Sequence, residues 1–283
     1  MYGDSHTLLN KWFKRTGKRN EIFLATKSAY VIKDGTFTLN SSGDYLKDAC
    51  YKDLADLGLE YVDLFYCHGS NPATPIEDTM RGLKALKEQG KTKYIGLCEI
   101  TSNTLRRAVK IAPVDVVQVE YSPFVRHIEG PEGTDLLATC RELGISIVCF
   151  SPLGRGLLTG TVTKETLTQE GDYRSVSQPR FQGENFDANV RLVAQFKAIA
   201  ERKGCTSSQL ALAWLLKQGN DIIPIPGTKK IKYLEENWGA LDVKLSDDDE
   251  KEIRKFLEEA KVAGGRVPEQ YEHLLLVDTR EES

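Results

Sequence analysis

Leu83-Lys84-Ala85-Leu86-Lys87-Glu88-Gln89-Gly90, continuing through Lys91-Thr92-Lys93 into Tyr94-Ile95-Gly96-Leu97-Cys98-Glu99, holds one complete repeat of the fold. Apolar residues at helical spacing end at a glycine, the residue best suited to the left-handed turn past a helix C-terminus. An apolar run of strand length then follows and stops at polar groups.

The same unit recurs along the chain. Buried-strand runs lie at residues 22–26, 61–67, 94–98, 114–119, 145–150 and 222–225, and amphipathic helical segments at 45–57, 76–89, 102–111, 136–143, 190–203 and 207–218. Glycines at 58, 90, 144 and 204 close helices. Strand then helix, repeated, predicts an α/β fold with a parallel sheet and right-handed crossovers.

Two features favour a (β/α)8 TIM barrel over an open dinucleotide-binding sheet. No G-x-G-x-x-G follows any strand, and polar residues gather just after strand ends, at Lys27, His68, Cys98-Glu99, Gln118 and Ser151. That end of the strands is where barrel enzymes place their sites. About six of the eight strands needed for closure can be counted, so the remaining pair, roughly 40 to 60 residues with its crossover, is expected ahead of Tyr2.

The 283 residues show no linker, so one barrel domain over 1–283 is expected. A net charge of −3 without a basic stripe argues against nucleic acid as a partner. The six cysteines never form Cys-x-x-Cys, and Cys67, Cys98 and Cys149 lie in apolar runs, so they read as reduced, buried side chains, with no disulfide framework and no metal site. No run approaches the ~18 apolar residues of a membrane span and no targeting pattern opens the chain, which predicts a cytoplasmic protein with no membrane partner. Residues 159–182 form a long mixed segment expected to act as a lid, and the tail from 262 to 283 is expected to fray, with Gly264-Gly265-Arg266 leading back across the barrel mouth.

Seven motifs, in order, resemble the aldo-keto reductase family, in particular its fungal YakC-like or pyridoxal-reductase-like branch. They are Met1-Tyr2-Gly3-Asp4, Phe23-Leu24-Ala25-Thr26-Lys27, Asp63-Leu64-Phe65-Tyr66-Cys67-His68, Tyr94-Ile95-Gly96-Leu97, Gln118-Val119-Glu120-Tyr121-Ser122, Ser151-Pro152-Leu153-Gly154-Arg155-Gly156 and Ile225-Pro226-Gly227-Thr228-Lys229-Lys230.

The resemblance implies a tetrad of Asp, Tyr, Lys and His, in which hydride from NADPH reaches a carbonyl carbon while the Tyr hydroxyl protonates its oxygen. Three members match as Tyr2, Lys27 and His68; the Asp, five residues before the Tyr, has no counterpart in this sequence. The roles are physically sound: a phenol with pKa near 10 is a poor acid at neutral pH, an adjacent ammonium stabilises its phenolate, and His68 would hold the substrate oxygen.

The resemblance also places Gln118 at the nicotinamide carboxamide, helped by Glu99 and by Cys98, which stands where the family usually has Ser and donates more weakly. Phe150 would stack on the nicotinamide ring. Ser151, Pro152, Leu153, Gly154, Arg155 and Gly156 resemble the pyrophosphate segment, where bare backbone and one guanidinium suit phosphate oxygens. Gly227, Thr228, Lys229 and Lys230 open a helix expected through 233–240 whose amides and ammonium groups suit a 2′-phosphate, hence NADPH/NADP+, with Glu236 and Asn237 at the adenine.

The expected partner is a small-molecule aldehyde or ketone: pyridoxal, an aryl aldehyde or a secondary-metabolite ketone. Gly69-Ser70-Asn71 replaces the larger residue usual after the His, so the pocket is expected to be differently lined. A non-catalytic NADPH-binding barrel and an inactive fragment are the alternative readings, and oligomeric state stays open.

Overall fold

The computed structural model describes residues 3–33, 36–272 and 275–282. Its strands are β1 (Ala25–Ser28), β2 (Tyr30–Lys33), β3 (Thr36–Leu39), β4 (Val62–Cys67), β5 (Thr92–Cys98), β6 (Val116–Glu120), β7 (Ser146–Phe150) and β8 (Ile222–Pro224). Six of them follow one another across a single sheet in the order β1-β4-β5-β6-β7-β8, while β2 and β3 pair as a separate antiparallel hairpin. The pairs β1/β4, β4/β5 and β5/β6 are parallel. This is the α/β sheet that the strand-helix spacing predicts.

The helices are α1 (Ser5–Thr16), α2 (Gly43–Leu57), α3 (Ile76–Glu88), α4 (Ser102–Ala108), α5 (Leu136–Glu142), α6 (Lys164–Leu167), α7 (Arg174–Ser177), α8 (Gly183–Arg202), α9 (Ser207–Lys217), α10 (Ile231–Trp238), α11 (Asp247–Glu259) and α12 (Glu269–Glu272). The chain divides into two compact units, the first made of Met1–Val119, Gly130–Ile147 and Leu276–Ser283, the second of Glu120–Glu129 and Val148–Leu275.

In the first unit every residue of β4 is buried, as a strand covered on both faces must be. Leu46, Leu54, Leu57, Leu83 and Leu86 of α2 and α3 are buried too, each contributing about 2 kcal/mol of apolar burial. The two helices meet backbone to backbone: a Cβ on Gly82 would lie 2.4 Å from Gly43 Cα, and the Asp78 carboxylate accepts a hydrogen bond from the Gly43 amide at 3.0 Å.

The expectation of a fraying tail fails at its last residues. Asp278 accepts hydrogen bonds from Thr101, from Thr104 at 3.0 Å and from Asn103 at 2.9 Å, and the Arg280 amide donates to Pro72 O at 2.8 Å. Arg107, paired with Glu77 at 2.8 Å, donates to the carbonyls of Thr279 and Arg280. The acidic tail is held because Asp278 accepts from three side chains at the start of α4, Arg107 binds the carbonyls that follow it, and Arg81 pairs with Glu282.

In the second unit Trp214 of α9 is fully buried, with its ring edge-on to Tyr121 at 5.7 Å, and Phe124 packs on Phe196 of α8 at 6.0 Å. Thr206 and Gln209 form a capping box that starts α9, and Ser246 with Asp249 does the same for α11.

Several local expectations shift. β1 starts at Ala25, because Ile22 closes a turn by donating its amide to Arg19 O at 3.3 Å, which leaves Ile22 and Phe23 exposed. α8 starts at Gly183, seven residues before its apolar stripe becomes regular, and α10 ends at Trp238. The segment 159–182 is built from α6, α7 and a short 3-10 turn, with Leu167 and Phe181 buried. α1, the hairpin and α11 had no counterpart in the sequence reading, although Ser246 followed by three aspartates is a legible helix start.

Candidate active site

Parallel register brings the first set of expected residues together in the first unit. Lys27 of β1 stands opposite Tyr66 of β4, and the amide of His68, the residue after β4, donates to Ser28 O at 3.0 Å. Burial, and then the nearby Lys27 charge, lower the His68 pKa to about 3, so its imidazole is neutral at physiological pH and can offer one N–H without giving up a full proton. The edge of Tyr30 meets this ring at a centroid distance of 4.9 Å and an angle of 87°.

Cys98 of β5 pairs in register with Gln118 of β6, and the Glu99 amide donates to Gln118 O at 3.0 Å. Glu99 itself sits at φ 47°, a left-handed conformation uncommon outside glycine, just past the strand end. Cys98 is buried with Leu64 and Tyr66. Burial pushes its thiol well above the usual range, although Lys27 pulls the other way. The Cys50, Cys67 and Cys149 thiols are likewise pushed up to about 12, so all stay protonated and poorly nucleophilic at neutral pH.

Sequence reasoning missed Tyr66. Its phenol shares a hydrogen bond with the Gln118 side chain, and its ring packs against Gly96 of β5, where a Cβ would fall 2.2 Å from Tyr66 Cδ1. The bare backbone of Gly96 makes room for Tyr66, and Tyr66 then orients the amide of Gln118.

The second unit holds the other expected residues. Phe150 ends β7, and the next turn carries Ser151 at φ 48°, Gly154 at 57°, Arg155 at 57° and Gly156 at 93°. Arg174 of α7 braces this turn by donating to Arg155 O at 2.9 Å, while Asp172 fixes Arg174 through bonds to Nε at 3.0 Å and Nη2 at 2.6 Å. Part of the segment expected as a lid thus buttresses the turn. Two opposite charges two residues apart were its only sequence signal.

Gly227 has open space where a Cβ would stand, and the Thr228 hydroxyl accepts from the Lys230 amide at 3.2 Å ahead of α10. Lys229 and Lys230 are exposed, Lys230 and Lys232 flank the Tyr233 ring, and Glu236 and Asn237 sit half-buried on α10. Tyr2 lies outside the described residues. Among the described residues no cluster of metal-ligating side chains occurs, and no helix is long and apolar enough to cross a membrane.

The model of the aldo/keto reductase family matches residues 1–258. The chain is 48% identical over 280 residues to the aldo-keto reductase yakc [NADP(+)] of Schizosaccharomyces pombe, covering 98% of this chain and 82% of that protein. It is 47% identical over 266 residues to the aldo-keto reductase str7 of Strobilurus tenacellus, covering 94% and 77%. Among solved structures, the glycerol dehydrogenase AKR11B4 of Gluconobacter oxydans superposes with a TM-score of 0.79 at 25% identity, over 90% of this chain and 77% of that one.

Proposed function

Because the chain belongs to the aldo/keto reductase family, we propose that it reduces an aldehyde or ketone to the alcohol with NADPH. The residues suit that cofactor: Gln118 presents an amide whose orientation Tyr66 sets, residues 151–156 offer close backbone, and Gly227 leaves an open approach beside Lys229 and Lys230. Glu99 and Cys98 flank Gln118, Phe150 supplies an aromatic face, and Glu236 and Asn237 are the polar groups for the adenine. When bound, NADPH supplies the hydride.

The protein's own groups handle the oxygen. Neutral His68 donates a hydrogen bond to the carbonyl oxygen, Tyr2 delivers the proton to it, and the Lys27 ammonium favours the phenolate left behind. The observation that carries this reading is the neutral His68 beside Lys27 at neighbouring strand ends. An imidazole with pKa about 3 is suited to polarising a carbonyl and unsuited to protonating it at pH 7, which leaves that task to a phenol.

The experiment is an NADPH titration followed by cofactor fluorescence, then addition of 4-nitrobenzaldehyde. Saturable binding with cofactor oxidation is expected, and His68→Ala should lower kcat/KM by roughly a hundredfold or more. Binding without oxidation of NADPH by any of a panel of aldehydes refutes the reductase reading and leaves a cofactor-binding protein.

A further inference from the structure

We propose that His6 and Asp53 form a clamp behind β1 that fixes where Lys27 stands, which makes both of them positioning residues for the carbonyl reduction. This role deepens the reductase reading above and rests on it.

β1 is four residues long and stands at one edge of the six-stranded sheet, with β4 its only partner among the described strands. Along its outer edge no described strand ladders with it, so side chains do the holding there. Side chains alternate across a strand, which puts Thr26 and Ser28 on one face and Lys27 on the other. The Lys27 charge acts on His68, just past β4, and on Cys98, at the end of β5, so its face looks towards those strand ends. The opposite face, with Thr26 and Ser28, turns to α1 and α2.

Those two helices supply the grip. The Ser28 hydroxyl donates to Asp53 Oδ2 of α2 at 2.9 Å, and His6 Nδ1 of α1 lies 3.6 Å from Asp53 Oδ1. A carboxylate can only accept, so it favours the ring proton on Nδ1, and Nε2 is left to accept from the Thr26 hydroxyl at 2.8 Å. One His-Asp pair thus holds the residues on both sides of Lys27. Asn10, one turn after His6 on the same face of α1, donates to Asp56 O at 3.0 Å, and Gly58 comes so near that a Cβ there would lie 2.7 Å from Asn10 Nδ2. α1 is therefore laid along the end of α2 and mounts the clamp.

Packing alone does not account for these residue types. The Asp53 side chain is 14% exposed, and burial raises its pKa, while the Ser28 hydrogen bond and the His6 charge work against the rise. Apolar side chains would fill the space behind β1 without that desolvation, and a buried polar pair is better suited to fixing geometry than to adding stability. Geometry is what Lys27 needs, because misplacing a catalytic group by about 1 Å can cost roughly a hundredfold in rate. Each hydroxyl sits one residue from Lys27, so a shift of either is passed to it through a single peptide unit.

The test removes the two hydroxyls together, by Thr26→Val and Ser28→Ala, which leaves the shape of β1 intact. With 4-nitrobenzaldehyde, kcat should fall about tenfold while NADPH affinity stays within about twofold. Asp53→Ala should act alike, and Asp53→Asn, which keeps an oxygen for Ser28, should restore most of the rate. In a Lys27→Met background the paired substitution should change kcat by less than about twofold, since no ammonium is left to misplace. An unchanged kcat, an equal loss in both backgrounds, or a loss that falls on NADPH affinity overturns the proposal. The chain has four histidines, so the His68 ring signals can be assigned by substitution, and NMR then reads the clamp without turnover. Removing the hydroxyls should move those signals towards their position in Lys27→Met and move them no further in that variant; signals that stay in place overturn the clamp. The expected movement in a protein that oxidises NADPH with no aldehyde would refute the reductase reading and leave the clamp standing.

Discussion

Replacing Gly96 by Ala tests whether the first unit is organised around Tyr66. The added Cβ would fall 2.2 and 2.4 Å from Tyr66 Cδ1 and Cε1, and the ring cannot swing away because it is 3% exposed and tied to Gln118. Overpacking of this kind costs about 1–3 kcal/mol. With the ring trapped, a value of about 2 kcal/mol is expected, which lowers Tm by ~4–8 °C. In a Tyr66→Ala background, itself destabilised by about 3–5 kcal/mol, the clash is gone. There Gly96→Ala should cost no more than about 0.5 kcal/mol, a coupling of about 1.5 kcal/mol or more. The four proteins are compared by urea unfolding. Because Tyr66 orients Gln118, Gly96→Ala should also weaken NADPH binding. An equal cost of Gly96→Ala in both backgrounds refutes the reasoning.

Asp278→Ala should free the tail, since it strips the acceptor from Thr101, Asn103 and Thr104 at a cost of about 1–3 kcal/mol; hydrogen exchange should rise at residues 276–282 and stay slow in β4, and unchanged exchange in the tail contradicts the anchoring role. Stability should also fall in mild acid. His68 and His127 have folded pKa values of about 3 against an ordinary value of about 6.5, so between those limits the unfolded chain binds more protons; the stabilisation is complete above about pH 6.5 and is lost as pH falls towards 3. Each histidine contributes up to about 1.4 kcal/mol per pH unit in that window, less where solvent screens the ring. A urea midpoint that does not move between pH 7.5 and 5.0 contradicts this.

The strand-helix rhythm, the six-stranded sheet and the position of His68 just past β4 were legible in the sequence, whereas Lys27 and Gln118, expected past their strands, lie inside β1 and β6. Hydrophobic period, glycine stops and the polar residue after each strand are local signals, carried within a few residues. The contacts that tune those groups were not legible. Tyr66 meets Gly96 and Gln118 only because the register sets β4 beside β5 and β5 beside β6, and a slip of one residue would turn each side chain to the other face. The Asp278 anchor joins segments far apart along the chain, and composition does not record it. The sequence by itself determined which elements form and which polar residues end them, because propensity and periodicity act between near neighbours. Only the tertiary structure decided which charges share a space and which glycine makes room for which ring, because those depend on distances between segments that packing alone brings together.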